Sequence, residues 1–364
     1  MRITAAVVRE AGSFVLEDVD LDEPRADEVL VRMVATGVCH TDLMVRDGKF
    51  PPRPPVVVGH EGAGIVERVG SRVTKVGAGD HVVLTMAHCG TCVNCKSGQA
   101  MHCTTLMARN FSGARSDGST PLRSRDAPIG GAFFAQSSFA TFAIATEGNV
   151  VSIRKDVPLE LMGPLGCGVQ TGAGAVLNSL RCPAGASLAI FGTGGVGAAA
   201  VLGAVVAGCT TIVAVDPNAS RRELVAELGA THTVDPKTQD PVDAVRRITA
   251  GGAGYSIDTT GLPEVARQAV DCLGVPGACA LVGIGVAGSE VRLDMFSLLM
   301  GRTVRGVVEG DSIPDVFIPA LIELWALGRF PFDRLLSFYD FADINQAAAD
   351  AVSGVAVKPV VRMP

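Results

Sequence analysis

The spacing of apolar residues changes character once along the chain. From residue 3 to about 160 the apolar positions fall in short runs rich in β-branched residues, "ITAAVV", "EVLVRMVATGV", "GAGIVERVG", "DHVVLTM" and "FATFAIA", separated by Gly and Pro. That pattern predicts an irregular, strand-rich domain. From about 187 a strand, helix, strand rhythm replaces it: "SLAIF", "VGAAAVLGAVVAG", "TIVAV", then "SRRELVAELGA" with Ser220 as N-cap and Gly229 as the stop, followed by "YSIDTTG", "PEVARQAVDCL" and "GACALVGIG". Such alternation is the signature of a parallel sheet covered by helices, so the fold class is α/β with a β-rich first part. After about 307 one amphipathic helix, near Pro314 to Leu327, precedes a last strand, "KPVVRM". The stretch from Cys182 to Val215 carries no charge and is long enough to cross a membrane. Its Gly192, Gly194, Gly195 and Gly197 would interrupt a spanning helix, and a buried strand followed by a buried helix reads as equally apolar. No membrane association is expected.

At 364 residues the chain exceeds what one core comfortably serves, so two domains are expected. Hydrophobic residues make up 48% and charged ones 19%, and the net charge of -6 argues against nucleic acid and for a small-molecule enzyme. The start reaches Arg9 and Glu10 too soon for a signal peptide, which suggests a cytoplasmic protein whose ten cysteines are thiols. Clustered thiols in that setting hold metal more often than they form bridges.

Gly192, Gly194 and Gly197 stand in G-x-G-x-x-G spacing, with Gly195 and Val196 between them, directly after an apolar strand and before an apolar helix. In that context the turn binds a dinucleotide pyrophosphate at the helix N-terminus. Asp216 ends the next strand, where a carboxylate accepts from the adenosine ribose hydroxyls and repels a 2'-phosphate. NAD is therefore expected over NADP, a preference softened by Arg221 and Arg222 nearby.

Cys89, Cys92, Cys95 and Cys103 follow C-x2-C-x2-C-x7-C. Four thiolates close a tetrahedral zinc site and leave no place for substrate, so this lobe is expected to be structural. An iron-sulfur cluster would bring further cluster motifs, and a DNA-reading module would bring more basic residues than Lys96. The working site is better sought at Cys39 and His60, which with Cys167 as third ligand would match the open Cys2His arrangement of catalytic zinc.

The stretch "GHEGAGIVERVGSRV" fits G-H-E-x2-G-x5-G-x2-V through Gly59, His60, Glu61, Gly64, Gly70 and Val73. With the cysteine lobe, "GVCHTD", "LGCG" and "GTGGVG" in order, essentially the whole chain resembles the zinc-containing alcohol dehydrogenases of the medium-chain dehydrogenase/reductase family. "GQAMHC", "AQSSFATFA" and "RFPFDRLL" are most similar to its aryl-alcohol (benzyl alcohol) and geraniol branch. The resemblance implies a GroES-like catalytic domain, residues 1–168 and 308–364 with the lobe at 89–103, and a Rossmann domain with a doubly wound parallel sheet over 169–307. It implies two Zn2+ per chain, one catalytic on Cys39, His60 and Cys167 and one structural, and transfer of hydride from a primary aromatic or allylic alcohol to NAD.

Residue by residue, the resemblance implies that Asp42 orients His60 and that Glu61 serves as a transient alternative ligand. Thr41 takes the first proton of a relay, and Met44 stands where relatives carry the histidine that ends it. His40 either replaces that histidine or contacts the pyrophosphate, the second being favoured. Val282 and Ile284 line the cofactor, as do Arg221 and Lys358, the latter reaching the phosphates. Met86, Phe133 and Phe134 line the substrate pocket. The segment 301–310, "GRTVRGVVEG", resembles the edge strand through which cofactor domains pair, so a homodimer is expected, with a homotetramer as the other assembly. Competing readings are a glutathione-dependent formaldehyde dehydrogenase, disfavoured because Asp47 sits amid Arg46, Lys49 and Arg53, a general aliphatic alcohol dehydrogenase, and a zinc-stabilised NAD-binding sensor without chemistry.

Overall fold

The computed structural model describes residues 1–364, which separate into two compact units. The first comprises Met1–Cys167, Ile313–Ala320 and Leu336–Pro364; the second comprises Gly168–Ser312 and Leu321–Leu335. The helix Pro314–Ala326 contributes residues to both. No helix is long and apolar enough to cross a membrane, and the uncharged stretch is resolved into the strand Ser187–Phe191, the helix Gly195–Ala207 and the strand Thr211–Val215.

In the first unit a five-stranded and a seven-stranded sheet carry the short apolar runs. Glu28–Gly37 is the organiser of the larger sheet, pairing antiparallel with Glu61–Val69, Phe142–Thr146 and Lys358–Arg362. Both of its faces are largely buried, which is why its sequence is nearly continuously apolar rather than alternating. Val29, Val31, Met33, Val66, Val82 and Leu84 form the core beside it. Register then decides chemistry. Gly37 lies opposite both Glu61 and Val360, so Cys39, His60 and Lys358, from distant parts of the chain, arrive at one end of the sheet. Gly37 has to be glycine because a Cβ there would run into the Glu61 carboxylate.

The second unit is built on a six-stranded, all-parallel sheet whose strands, numbered in chain order within it, run 3-2-1-4-5-6. That is the doubly wound order, and the switch point lies at the end of Ser187–Phe191, where the glycine-rich turn begins. The helix Gly195–Ala207 starts there and is buried along most of its length. Gly197 lets it approach the strand, since a Cβ would meet the carbonyl of Gly192. The following helix, Ala219–Glu227, is capped by Asn218, whose side chain accepts from Arg221 N, and not by Ser220. Asn218 wins because it holds the extended backbone that a cap requires, while Ser220 lies inside the first turn.

Candidate active site and metal centres

Cys39 is the N-cap of the helix His40–Arg46, with its backbone extended at the end of the organising strand's path. Asp42, fully buried, knits the site together: its carboxylate accepts from Cys39 N at 3.0 Å and Gly59 N at 2.9 Å, and one oxygen lies 2.8 Å from His60 Nδ1. With Nδ1 so engaged, the other ring nitrogen is the one presented to the site. His60 Nε2 is buried and has no hydrogen-bond partner. It faces Cys39, Cys167 and Glu61, and one donor atom from each of the four residues lies within 4.8 Å of the others. Two sulfurs and a carboxylate oxygen gathered with the orphaned imidazole nitrogen fit a zinc ion.

The electrostatics favour a cation. A hydrogen bond from Cys167, with the charges of His60 and Lys358, holds the Cys39 thiol well below its ordinary value despite burial. Burial pushes the His60 imidazole down, but Asp42 and Cys39 outweigh it and hold it well above its usual value. Thr41 is buried, with Oγ1 3.8 Å from Cys39 Sγ, while Met44 is buried on the same helix and His40 is exposed.

Lys358, expected at the cofactor phosphates, lies against Glu61. It is buried, and its ammonium donates to both Glu61 oxygens, at 2.8 and 2.9 Å, and to Val38 O at 3.4 Å. Burial raises the Glu61 carboxyl, an effect that Lys358 opposes. A charge surrounded by protein needs a partner, and the register of Lys358–Arg362 places Glu61 nearest. Phe133, Phe134 and Met86, expected at the substrate pocket, are buried, exposed by 0%, 2% and 5%. The two phenylalanines are spent on His60 and Phe111.

The four lobe cysteines come together on the short helix Val93–Lys96 and the turns flanking it. Cys89 and Cys95 sulfurs are 3.8 Å apart and those of Cys92 and Cys95 3.5 Å, with backbone N–H groups of Cys89, Cys92 and Cys95 donating to sulfur. Amides aimed at sulfur stabilise thiolates, and a four-thiolate cage matches a closed zinc site. Hydrogen bonds from Thr91 bring Cys89 down to about 5, and those of Thr104 and Cys95 bring Cys92 to about 7, whereas burial lifts Cys95 to about 12.

In the second unit, Gly192 adopts φ +83°, and Gly194 is the extended N-cap of the helix that follows. Asp216 is buried; one oxygen accepts from Thr193 N at 2.7 Å and Thr193 Oγ1 at 3.0 Å, the other from Asn218 N at 2.8 Å. It therefore shapes the glycine turn directly. Arg222 is tied to the Asp216 carbonyl and to Asp235, while Arg221 Nε is buried without a partner near Gly194. Val282 donates to Asp258 O, and Ile284 is exposed on the loop beyond. Sequence reasoning missed Asp258, which repeats the Asp216 pattern by accepting from Thr260 and Gly261 at the end of its own strand. Its signal was available in "SIDTTG", an acid closing a parallel strand before a turn.

The chain is similar to known proteins along its whole length. Residues 25–155 match the family model described as alcohol dehydrogenase GroES-like domain, and residues 195–326 match that described as zinc-binding dehydrogenase. Geraniol dehydrogenase of Castellaniella defragrans is 47% identical over 361 residues, covering 98% of this chain and 96% of the relative. The crystal structure of benzyl alcohol dehydrogenase from Acinetobacter calcoaceticus superposes with TM-score 0.97 at 48% identity over 100% of each chain. That of an alcohol dehydrogenase zinc-binding domain protein from Burkholderia ambifaria gives TM-score 0.98 at 53% identity, covering 100% of this chain and 99% of that one.

Proposed function

The chain belongs to the zinc-dependent alcohol dehydrogenases of the medium-chain family, and from that premise we propose that it oxidises primary aromatic or allylic alcohols to aldehydes, passing hydride reversibly to NAD. The observation that carries the proposal is the orphaned His60 Nε2 facing two thiols, three donors that leave one zinc position for substrate oxygen while Glu61 stays on Lys358. A zinc ion held by Cys39, His60 and Cys167 would polarise that oxygen and lower its pKa toward neutrality. Asp42 keeps the imidazole tautomer and orientation that present Nε2. The Thr41 hydroxyl takes the alcohol's proton. Met44 has no proton to exchange, so the path ends at water or at the exposed His40.

Asp216 supports NAD, since a buried carboxylate at the ribose position repels a 2'-phosphate; of the two arginines that would favour that phosphate, Arg222 is already engaged and Arg221 is not. The substrate class comes from the relatives named geraniol and benzyl alcohol dehydrogenase. Against a glutathione adduct, Asp47 is paired with Arg46 at 2.8 Å and Lys49 at 3.8 Å, which leaves no free acid there for the glutathione amine. We assign the lobe zinc a structural role and, because all ten cysteines are free thiols, a cytoplasmic setting. We further propose a homodimer through Arg302–Gly306, an edge strand of the parallel sheet, beside which Met295, Phe296 and Leu299 are exposed.

Steady-state assays with benzyl alcohol, geraniol, ethanol and hydroxymethylglutathione, each with NAD and NADP, test the reading. The highest kcat/KM is expected for benzyl alcohol or geraniol with NAD. Highest efficiency on ethanol or the glutathione adduct would contradict the substrate class, and no reduced cofactor with any alcohol would leave a sensor as the better account.

A further inference from the structure

The turn after Ala132 is an expensive piece of backbone. Phe134 sits at φ 50° and ψ 31°, Ala135 at φ 51° and Ser137 at φ 50°, the left-handed region that residues with a side chain rarely occupy. Three such residues among four consecutive ones persist only where their surroundings enforce them. Here the surroundings do so at every polar group. Ser137 Oγ donates to Val57 O at 2.7 Å and accepts from Phe133 N at 2.9 Å. Asn149 Nδ2 donates to Phe134 O at 3.1 Å and Ala135 O at 3.2 Å, and Gln136 Nε2 donates to His60 O at 2.9 Å.

What the strain delivers is a ring on a ring. Phe134 stacks on the His60 imidazole with centroids 4.2 Å apart and planes 25° from parallel, while Phe133 meets the same imidazole edge-on at 5.6 Å. Behind Phe134 stands Phe111 at 5.0 Å, and behind that Phe50, 5.1 Å from Phe111. Asp42 holds Nδ1 and the Cβ–Cγ bond holds the ring at its other anchor, so the motion left to the imidazole is a rocking about Cβ–Cγ that swings Nε2. An aromatic plane against the ring face damps that rocking. The π face also favours an imidazole made electron-poor by a bound cation.

We infer that Phe134 is a positioning residue of the catalytic metal site, acting through His60, and that the strained turn 134–137 exists to press it there. The inference rests on the zinc reading above. It gives Phe134 a purpose other than lining the substrate pocket, and it makes Ser137, Asn149 and Gln136 the struts of a device whose working end is the Nε2 lone pair.

The test compares Phe134→Leu, which keeps an apolar side chain and loses the π face, with Phe134→Tyr, which keeps the ring, and with Phe50→Leu, the same change at the far end of the aromatic column. Holoenzyme is challenged with a chelator and metal release is followed, the phase missing from Cys39→Ser identifying the catalytic site; cobalt(II)-substituted protein gives the visible spectrum. Phe134→Leu is expected to release the catalytic-site ion about tenfold faster and to shift the cobalt bands, as loss of supporting contacts to a ligand does. Release from the four-cysteine lobe should not change, Phe134→Tyr should return both readouts toward wild type, and Phe50→Leu should lower the melting temperature without moving either. If Phe134→Leu does not fold, Phe134→Met against Phe134→Tyr makes the same comparison. Wild-type release and spectrum in the variant lacking the ring, or equal shifts in Phe50→Leu, would overturn the inference while leaving the zinc reading intact. Wild-type protein holding metal only in the lobe would overturn the zinc reading itself.

Discussion

Buried ion pairs reveal themselves when one member is removed. Lys358 and Glu61 lie in the interior beside the candidate metal ligands, 2.8 Å apart, so Lys358→Met leaves an uncompensated carboxylate. A loss of about 3–5 kcal/mol in denaturant unfolding is expected, with much of it recovered when Glu61→Gln is added; additive losses in the double variant would contradict the pairing. Asp216→Ala should raise KM for NAD and narrow the preference over NADP by at least about tenfold, the free-energy scale of removing one buried acceptor. Unchanged cofactor preference in steady-state kinetics would sink that role. At this scale the residues that announce chemistry by type and spacing, Cys39, His60, Cys167, the lobe cysteines and the glycines, were legible in the sequence, and the structure gathers each set. Partners were not legible. Lys358 meets Glu61 only through the register of strands far apart in the chain, and the left-handed turn at Phe134 carries no glycine to flag it.

The cysteine lobe is an element whose shape depends on what it holds. Apolar burial reaches only its C-terminal end, at Met101 and Cys103: Cys89, Cys92 and Cys95 are all partly exposed, and Val93 points to solvent. Cys89→Ser should therefore lower the melting temperature and expose the loop to proteolysis while the parallel sheet persists. Binding must also displace protons still on sulfur, chiefly that of Cys95 near 12 and part of that of Cys92 near 7. Fewer protons remain to be displaced as pH rises, so lobe affinity should increase between about pH 6 and 8, measured by chelator competition. A flat or falling profile would contradict the thiolate cage. The elements of the second unit were the easiest to read, because a strand buried on both faces and a helix rich in small residues leave continuous apolar runs punctuated by glycine. The cap of Ala219–Glu227 was placed at Ser220 because serine is a good cap in general; the backbone at Asn218 decided otherwise.

For the molecule as a whole, the unpaired edge Arg302–Gly306 and the apolar side chains of Met295–Leu299 point to self-association. Phe296→Asp should shift sedimentation from dimer to monomer with the fold retained; a wild-type monomer at micromolar concentration, or a variant dimer of undiminished stability, would contradict that surface. The proposed division of labour rests on the two candidate metal sites being chemically unequal, four cysteines in one and two cysteines, a histidine and a glutamate in the other. The most direct test removes zinc stepwise with a chelator and measures, on the same samples, metal content and the rate of reduced-cofactor formation from benzyl alcohol and NAD. Turnover should fall in proportion to the ion bound by Cys39, His60 and Cys167 and return when zinc is restored; turnover that survives its complete loss would contradict the account.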